Sequence, residues 1–261
     1  MNIIYKNCCG LDVHKSSVTA CIIKTESNGT ATKEFKKFST ITTFLLEMSD
    51  WMKSNGVTHV AMESTGVYWK PVWNILEGNF KVILVNAQNI KQVPGRKTDM
   101  KDCEWIAELL GCGLLPSSFV PPAEIRELRD LTRQRTKMVQ DMASIKNRIQ
   151  KVLEDANVKI SSVVTDIMGI SGRTILSDIS EGNTDPALLA EHAKRRLRGK
   201  IPELRLALEG KVTPHHKFML KMLLDQISQY EEWIEEFDMR IDSIIKKKYR
   251  EEERLLVEIA F

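Results

Sequence analysis

The hydrophobic residues of this 261-residue chain change period once, at Pro121-Pro122. Before that point they come in short apolar runs set off by turn residues, as strands and short helices do. After it they fall on alternating steps of three and four. Leu128, Leu131, Met138, Met142, Ile145, Ile149 and Val152 form one seam, with Arg135 as its polar exception. Leu220, Leu223, Ile227, Tyr230, Ile234, Phe237, Ile241 and Ile244 form a second. A pattern with the helical period cannot settle as a strand, nor the reverse, so an α/β part must precede a helical one. Residues 1–118 are expected to form the first domain and 119–261 the second, with Glu124 onward opening a long helix after the prolines.

Within the first part, Tyr5 to Val13, Ser17 to Lys24 and Thr32 to Phe38 read as three strands, the last two joined at Asn28-Gly29, a strong hairpin signal. Short turns between consecutive strands give an antiparallel meander. Thr40 is placed to cap a helix through Phe44, Leu45, Met48, Trp51 and Met52, which Asn55-Gly56 ends. Val57 to Met62 then reads as a strand, Tyr68 to Leu76 as a helix and Lys81 to Val85 as an apolar strand buried on both faces. Pro94-Gly95 breaks the chain, and Thr98 can cap a helix that continues to Gly111 and Gly113. The order βββ-α-β-α-β-α is that of the ribonuclease H fold, in its RuvC-like form. Its first strand is central, and its site is expected at the carboxyl ends of the parallel strands.

Four acids fall where that fold would gather them. Asp12 lies in a strand, a position from which acids are depleted, and Glu63 closes the fourth strand. Asp99 and Asp102, three apart in a first helical turn, share one helix face. Acids in a first turn are often only partners of the helix dipole. Four together at the rim of one core instead suggest a shared cation, because an unpaired buried charge costs several kcal/mol. Carboxylate clusters of this kind serve two-metal phosphoryl transfer.

The helical seams span more than three heptads each, which predicts coiled-coil-like helices, packed as an intramolecular hairpin, as a dimer, or both. Between them, about 158–212, lies an insert with Gly169, Gly172, Gly182 and Asn183, expected to be rich in loops, and a basic patch that includes Lys194, Arg195 and Arg196. The first long helix carries Arg129, Arg133 and Arg148 among other cations. Such charge is by default a solvated face. Beside a phosphodiester-cutting centre it is a candidate for backbone contacts to DNA or RNA, as are Lys15, Arg96 and Lys97 near the acids. The net charge of +3 permits nucleic-acid binding without demanding it. No apolar run reaches the ~18 residues of a membrane span, no signal peptide is evident, and a cytoplasmic protein is expected. Five cysteines lack zinc-finger spacing and are expected as reduced thiols.

Gly-Leu-Asp-Val-His-Lys around Asp12, Ala-Met-Glu-Ser-Thr-Gly-Val-Tyr-Trp around Glu63 and Lys-Thr-Asp-Met-Lys-Asp around Asp99 and Asp102 occur in this order ahead of a helical region. In this the chain resembles the DEDD transposases of bacterial insertion sequences, the IS110 family and its relatives among site-specific DNA invertases. The resemblance covers nearly the whole chain. It implies a catalytic domain whose tetrad Asp12, Glu63, Asp99 and Asp102 binds Mg2+ (or Mn2+), and a coiled coil for homo-oligomer assembly. It implies DNA as substrate, often a structured noncoding bridge RNA as partner, and a bacterial, nucleoid-associated location when bound to DNA. It further implies a later domain whose serine attacks the DNA phosphodiester. The segment Leu255 to Phe261 resembles the approach to that domain, so the serine is expected beyond residue 261 and the chain is expected to be a fragment. Neither Ser64 nor Ser171 matches the family's serine motif, and Ser64 reads as a turn residue. Alternatives are a truncated remnant that binds nucleic acid or pairs with intact transposase, and a RuvC-like junction nuclease using the same acids with water. A sugar kinase of the actin-like type would need a phosphate loop where His14-Lys15 stands.

Overall fold

The computed structural model describes residues 3–26, 29–86 and 102–249, and the chain divides into two units, Met1–Val120 and Pro121–Phe261. In the first unit β1 (Asn7–Val13), β2 (Ser17–Thr25) and β3 (Ala31–Ser39) form the antiparallel meander. Then follow α1 (Thr42–Ser54), β4 (His59–Glu63), α2 (Trp69–Leu76), β5 (Lys81–Val85) and α3 (Asp102–Gly111). The strands lie in the order β3-β2-β1-β4-β5, with β4 parallel to both β1 and β5. This is the ribonuclease H arrangement, with β1 at the centre of the sheet.

Strand alternation sorts the residues onto two faces. Leu11, Ile22, Met62 and Leu84 point to one face and pack with Leu45, Met48 and Met52 of α1 and with Val72 and Leu76 of α2. Cys8, Cys21, Ala61 and Val85 point to the other and meet Cys103, Ile106, Ala107 and Leu110 of α3. The helix expected to be capped by Thr40 begins instead after Ile41, with no side-chain cap. Thr40 is diverted: its hydroxyl donates to the Lys15 carbonyl at 2.9 Å, tying the start of α1 to the β1–β2 hairpin. Of the second hairpin, Gly29 has φ +86°, which suits a glycine turn, while Asn28 lies outside the described residues. Thr98 and Pro94-Gly95 also lie outside them.

In the second unit α4 (Ala123–Asp155) and α8 (Pro214–Lys248) run antiparallel. Arg135 pairs with Asp238, and Asp155 near the other end of α4 pairs with His216 at 2.8 Å. As the number rises along one helix it falls along the other, which is the register of a hairpin within one chain. The segment between them is not loop-rich as expected. It carries α5 (Ile170–Glu181), α6 (Pro186–Ala190) and α7 (Ile201–Leu208), with short 3-10 turns at Ile160–Ser162 and Arg195–Lys200. Ile175, Leu176, Ile179, Leu189, Leu204 and Leu208 of these helices share a core with Ile149 and Leu153 of α4 and Leu220 and Ile227 of α8. The glycines that suggested loops act as helix punctuation, with Gly182 closing α5 at φ +117°. No helix among the described residues is long and apolar enough to cross a membrane.

Candidate active site

Asp12 sits one residue from the end of β1, on the face that α3 covers. The pairing of β1 with β4 runs to Leu11 opposite Met62, so Asp12 and Glu63 are the next positions on adjacent strands and share that face. Across the other edge of β1, Asp12 lies opposite Thr19, and Thr19 opposite Lys37. One row of the sheet therefore reads Lys37, Thr19, Asp12 and then Glu63, with neighbouring strands about 4.8 Å apart.

Over this row the fold brings in α3. Gly10 permits the approach, since an added Cβ would fall 2.1 Å from the Cys103 carbonyl oxygen and 2.4 Å from the Ala107 amide nitrogen. The first turn of α3 is thereby held at the carboxyl end of β1. Asp12 and Asp102, ninety positions apart in sequence, line one cavity of about 430 Å³ together with Thr19, Phe35, Lys36, Lys37 and Cys103. The Lys36 ammonium lies 4.9 Å from the Phe38 ring centroid and 6.0 Å from that of Trp51, so of the two neighbouring lysines it is Lys37 that shares the row of Asp12. On the flank, Lys33 of the edge strand reaches Glu104 at 2.8 Å and Glu108 at 2.5 Å, both on α3. Burial works against its charge, but the hydrogen bonds to Glu104 and Glu108 outweigh it and leave the Lys33 pKa raised.

Each sheet acid has a local partner. Asp12 Oδ2 lies 3.1 Å from His14 Nε2, and Glu63 Oε1 accepts a hydrogen bond from the Thr65 hydroxyl at 3.3 Å. Glu63 is not part of the cavity lining that Asp12 and Asp102 share. Among the described residues no three of the types His, Cys, Asp and Glu are gathered closely enough to hold an ion. Asp99, Arg96 and Lys97 lie outside the described residues. Lys15 is exposed in the hairpin turn that His14 and Ser17 close, the amide of His14 donating to the Ser17 carbonyl at 2.9 Å. Arg129, Arg133 and Arg148 are exposed on α4, while Lys194, Arg195 and Arg196 are exposed at the second unit's 3-10 turn. The motif pattern does not include Thr19 or Lys37, and it contains Gly10 without giving its role. A signal for Lys37 exists in hindsight, because strand register places it level with Asp12.

The match to the family model of DEDD transposases of the IS110 type covers residues 9–158, more than half of the chain. The chain belongs to this transposase family. Similarity to solved structures is weaker. A Fowlpox virus resolvase, in complex with Holliday junction DNA, is 14% identical with a TM-score of 0.26, over 35% of this chain and 65% of that one. T. thermophilus RuvC, in complex with a Holliday junction substrate, is 11% identical with a TM-score of 0.30, over 43% of this chain and 99% of that one. The chain thus spans just under two thirds of the fowlpox protein's length. A search among curated proteins finds no match.

For this transposase-family chain the donor set suits a hard divalent cation. Carboxylate oxygens are the ligands Mg2+ prefers, and it commonly takes only one or two of them, completing its shell with water and substrate phosphate oxygens. Asp12 and Asp102 on one cavity wall meet that requirement in chemistry.

Proposed function

We propose that the chain is the metal-binding catalytic part of an insertion-sequence transposase that cleaves and rejoins DNA. The observation that carries this reading is the convergence of Asp12 and Asp102 on one cavity, in a chain of the DEDD transposase family. Asp12, Glu63, Asp99 and Asp102 would hold Mg2+ or Mn2+. When bound, the ion would polarise the scissile phosphate and offset charge on the leaving oxygen.

The chain's own residues divide the remaining work. Asp12 and Glu63, on neighbouring strands, supply anchors that the sheet keeps fixed. Asp102 comes from a helix pressed against the same sheet, so the carboxylates are held by different elements of one core. Lys37 offers an ammonium on the row of Asp12, where it can pair with a phosphate oxygen and limit mutual repulsion of the acids. Lys15, Arg96 and Lys97, close in sequence to the acids, and Arg129, Arg133 and Arg148 along α4, are proposed backbone contacts to DNA. A noncoding RNA partner and a serine nucleophile forming a phosphoserine link follow from the family resemblance, and no residue of this chain is assigned as that serine. The half-covered seam of α4, with Leu128, Leu131 and Met138 only partly buried, supports assembly of two copies through this helix.

Calorimetric titration with Mg2+ and Mn2+ tests the reading. The native chain is expected to bind, Asp12→Asn and Asp102→Asn to lose binding by at least about tenfold, and both to retain their melting temperature. Native-like affinity in both variants would remove these acids from the site. Metal binding with no cleavage of any DNA, even with a serine-bearing partner polypeptide added, would leave a nucleic-acid-binding protein in place of a recombinase.

A further inference from the structure

A second cavity, of about 640 Å³, lies wholly within the helical unit. One wall is the segment before α5 and the first turn of that helix, including Asp166 and Ser171, and the other is Lys194 with the 3-10 turn that follows it, which contributes Arg195, Arg196 and Lys200. The two walls are tied together, since the amide of Lys194 donates to the Ser171 hydroxyl at 2.9 Å. Arg195 stands at φ +53°, a left-handed conformation that non-glycine residues seldom take, and the turn keeps it despite that cost.

The charge on this cavity is the informative part. Several basic side chains elsewhere in the unit are matched, Arg135 with Asp238, Lys137 with Asp141, Arg173 with Glu231 and Arg205 with Glu191, and the cations left unpaired on α4 lie on an exposed helix face and not around a concavity. None of the four cations lining the cavity has an ion-pair partner among the described residues. The one acid in the lining, Asp166, turns Oδ1 to the Met168 amide at 2.9 Å. Four unmatched cations around a concavity repel one another, and a bound anion relieves that repulsion. A flat solvated basic face would need neither the concavity nor the tie between its walls.

The geometry points to a phosphodiester-binding cavity within the helical unit, taking the backbone of a nucleic acid. This inference deepens the nucleic-acid reading above and rests on it. A nucleic-acid backbone is favoured over a lone carboxylate because four cations line the concavity, and successive phosphates of one strand can meet several of them where a single carboxylate cannot. The ligand can come from DNA or from RNA, and the experiment separates them.

Fluorescence anisotropy on the full chain, with a labelled DNA duplex and a labelled single-stranded RNA in separate arms, reads the site over a range of salt. The double variant Lys194→Gln with Arg196→Gln is expected to weaken one arm by about tenfold and to lower its salt slope by roughly one to two phosphates' worth, each phosphate contributing about 0.9 for a duplex and 0.7 for a single strand. Lys200→Gln alone is expected to give a smaller loss in the same arm. Lys137→Gln, which also removes one exposed cation, should leave both arms unchanged. All these side chains are exposed, so circular dichroism should match the native chain. Unchanged affinity and slope in both arms overturn the cavity while leaving the transposase reading intact. Failure of the native chain to bind either nucleic acid overturns both.

Discussion

A Cβ on Gly10 would lie 2.1 Å from the Cys103 carbonyl oxygen and 2.4 Å from the Ala107 amide nitrogen, both backbone atoms that cannot swing aside. Gly10→Ala must therefore lift α3 from β1, and overpacking of this kind costs about 1–3 kcal/mol. A lower melting temperature is expected, together with weaker metal binding, because Asp102 heads the same helix. A stable Gly10→Ala chain with native metal affinity would show that α3 does not set the position of Asp102. Lys37→Met is expected to act differently. It removes a cation from the row of Asp12, so single-turnover DNA cleavage should fall by about tenfold, on the scale of a lost electrostatic contact to a reacting phosphate. Metal affinity should hold or tighten, and a loss matching that of Asp12→Asn would instead assign Lys37 a structural role. Of the four acids read from the sequence, the structure brings Asp12 and Asp102 to one cavity and leaves Glu63 outside its lining, while Asp99 lies outside the described residues. The roles of Gly10 and Lys37 were not legible in the sequence. A glycine beside an acid has no distinguishing local pattern, and a lysine on an edge strand is ordinary protection against strand pairing. Only the register and the descent of α3 give them meaning.

At the scale of elements, periodicity carried the reading where it was long and failed where it was short. The seams of α4 and α8 were visible because a step of three and four sustained over many turns has no other explanation. The helices between them are only 12, 5 and 8 residues long, too short for a clear period, and their glycines masked them. The cap of α1 was missed because Thr40 bonds a carbonyl distant in sequence, which no local rule anticipates. The long helices are also unevenly buried. Ile145, Ile149 and Leu153 are enclosed, whereas Leu128, Leu131 and Met138 are only partly buried. Two outcomes are expected from this gradient. Leu153→Ala should cost about 2–5 kcal/mol, as deletion of a buried side chain does. The pair Leu128→Lys with Leu131→Lys should cost far less in folding and, on the proposed assembly through α4, should lower the sedimenting mass to that of one chain. An unchanged mass would place assembly, if any, on another surface.

The two units respond to pH through different groups, and their main responses are opposite in sign. In the sheet unit burial pushes the Cys8 and Cys21 thiols up to about 12 and raises Cys9 well above its ordinary value, while Lys33 is also raised, its hydrogen bonds to Glu104 and Glu108 outweighing burial. A group whose folded pKa is raised contributes stability that is present below its unfolded value and is lost as pH climbs toward the folded one. For these thiols the loss runs from about pH 9 upward. In the helical unit Glu231 is lowered by its hydrogen bonds with Arg173, at 2.6 Å each, and Asp238 by Arg135. Lowered acids contribute stability above their unfolded values, and it is lost as pH falls through the folded ones, below about pH 4. These pairs are largely solvent-exposed, so their share is small, as for surface ion pairs generally. Differential scanning calorimetry should therefore show an alkaline weakening assigned to the sheet unit and a milder acid weakening that the helical unit shares with His59 of the sheet unit, whose pKa burial lowers. Thiol labelling identifies which unit opens. At neutral pH the partly buried Cys112 should react first, and Cys8, Cys9, Cys21 and Cys103 only after unfolding. At alkaline pH those four should become reactive at a temperature where the helical signal persists. Glu231→Gln should make the acid limb shallower, Asp238 keeping its share, and leave the alkaline limb and the labelling pattern as they were. If alkaline labelling of the buried cysteines required loss of the helical signal at the same temperature, the two units would unfold as one, and the separation of their pH responses would be lost.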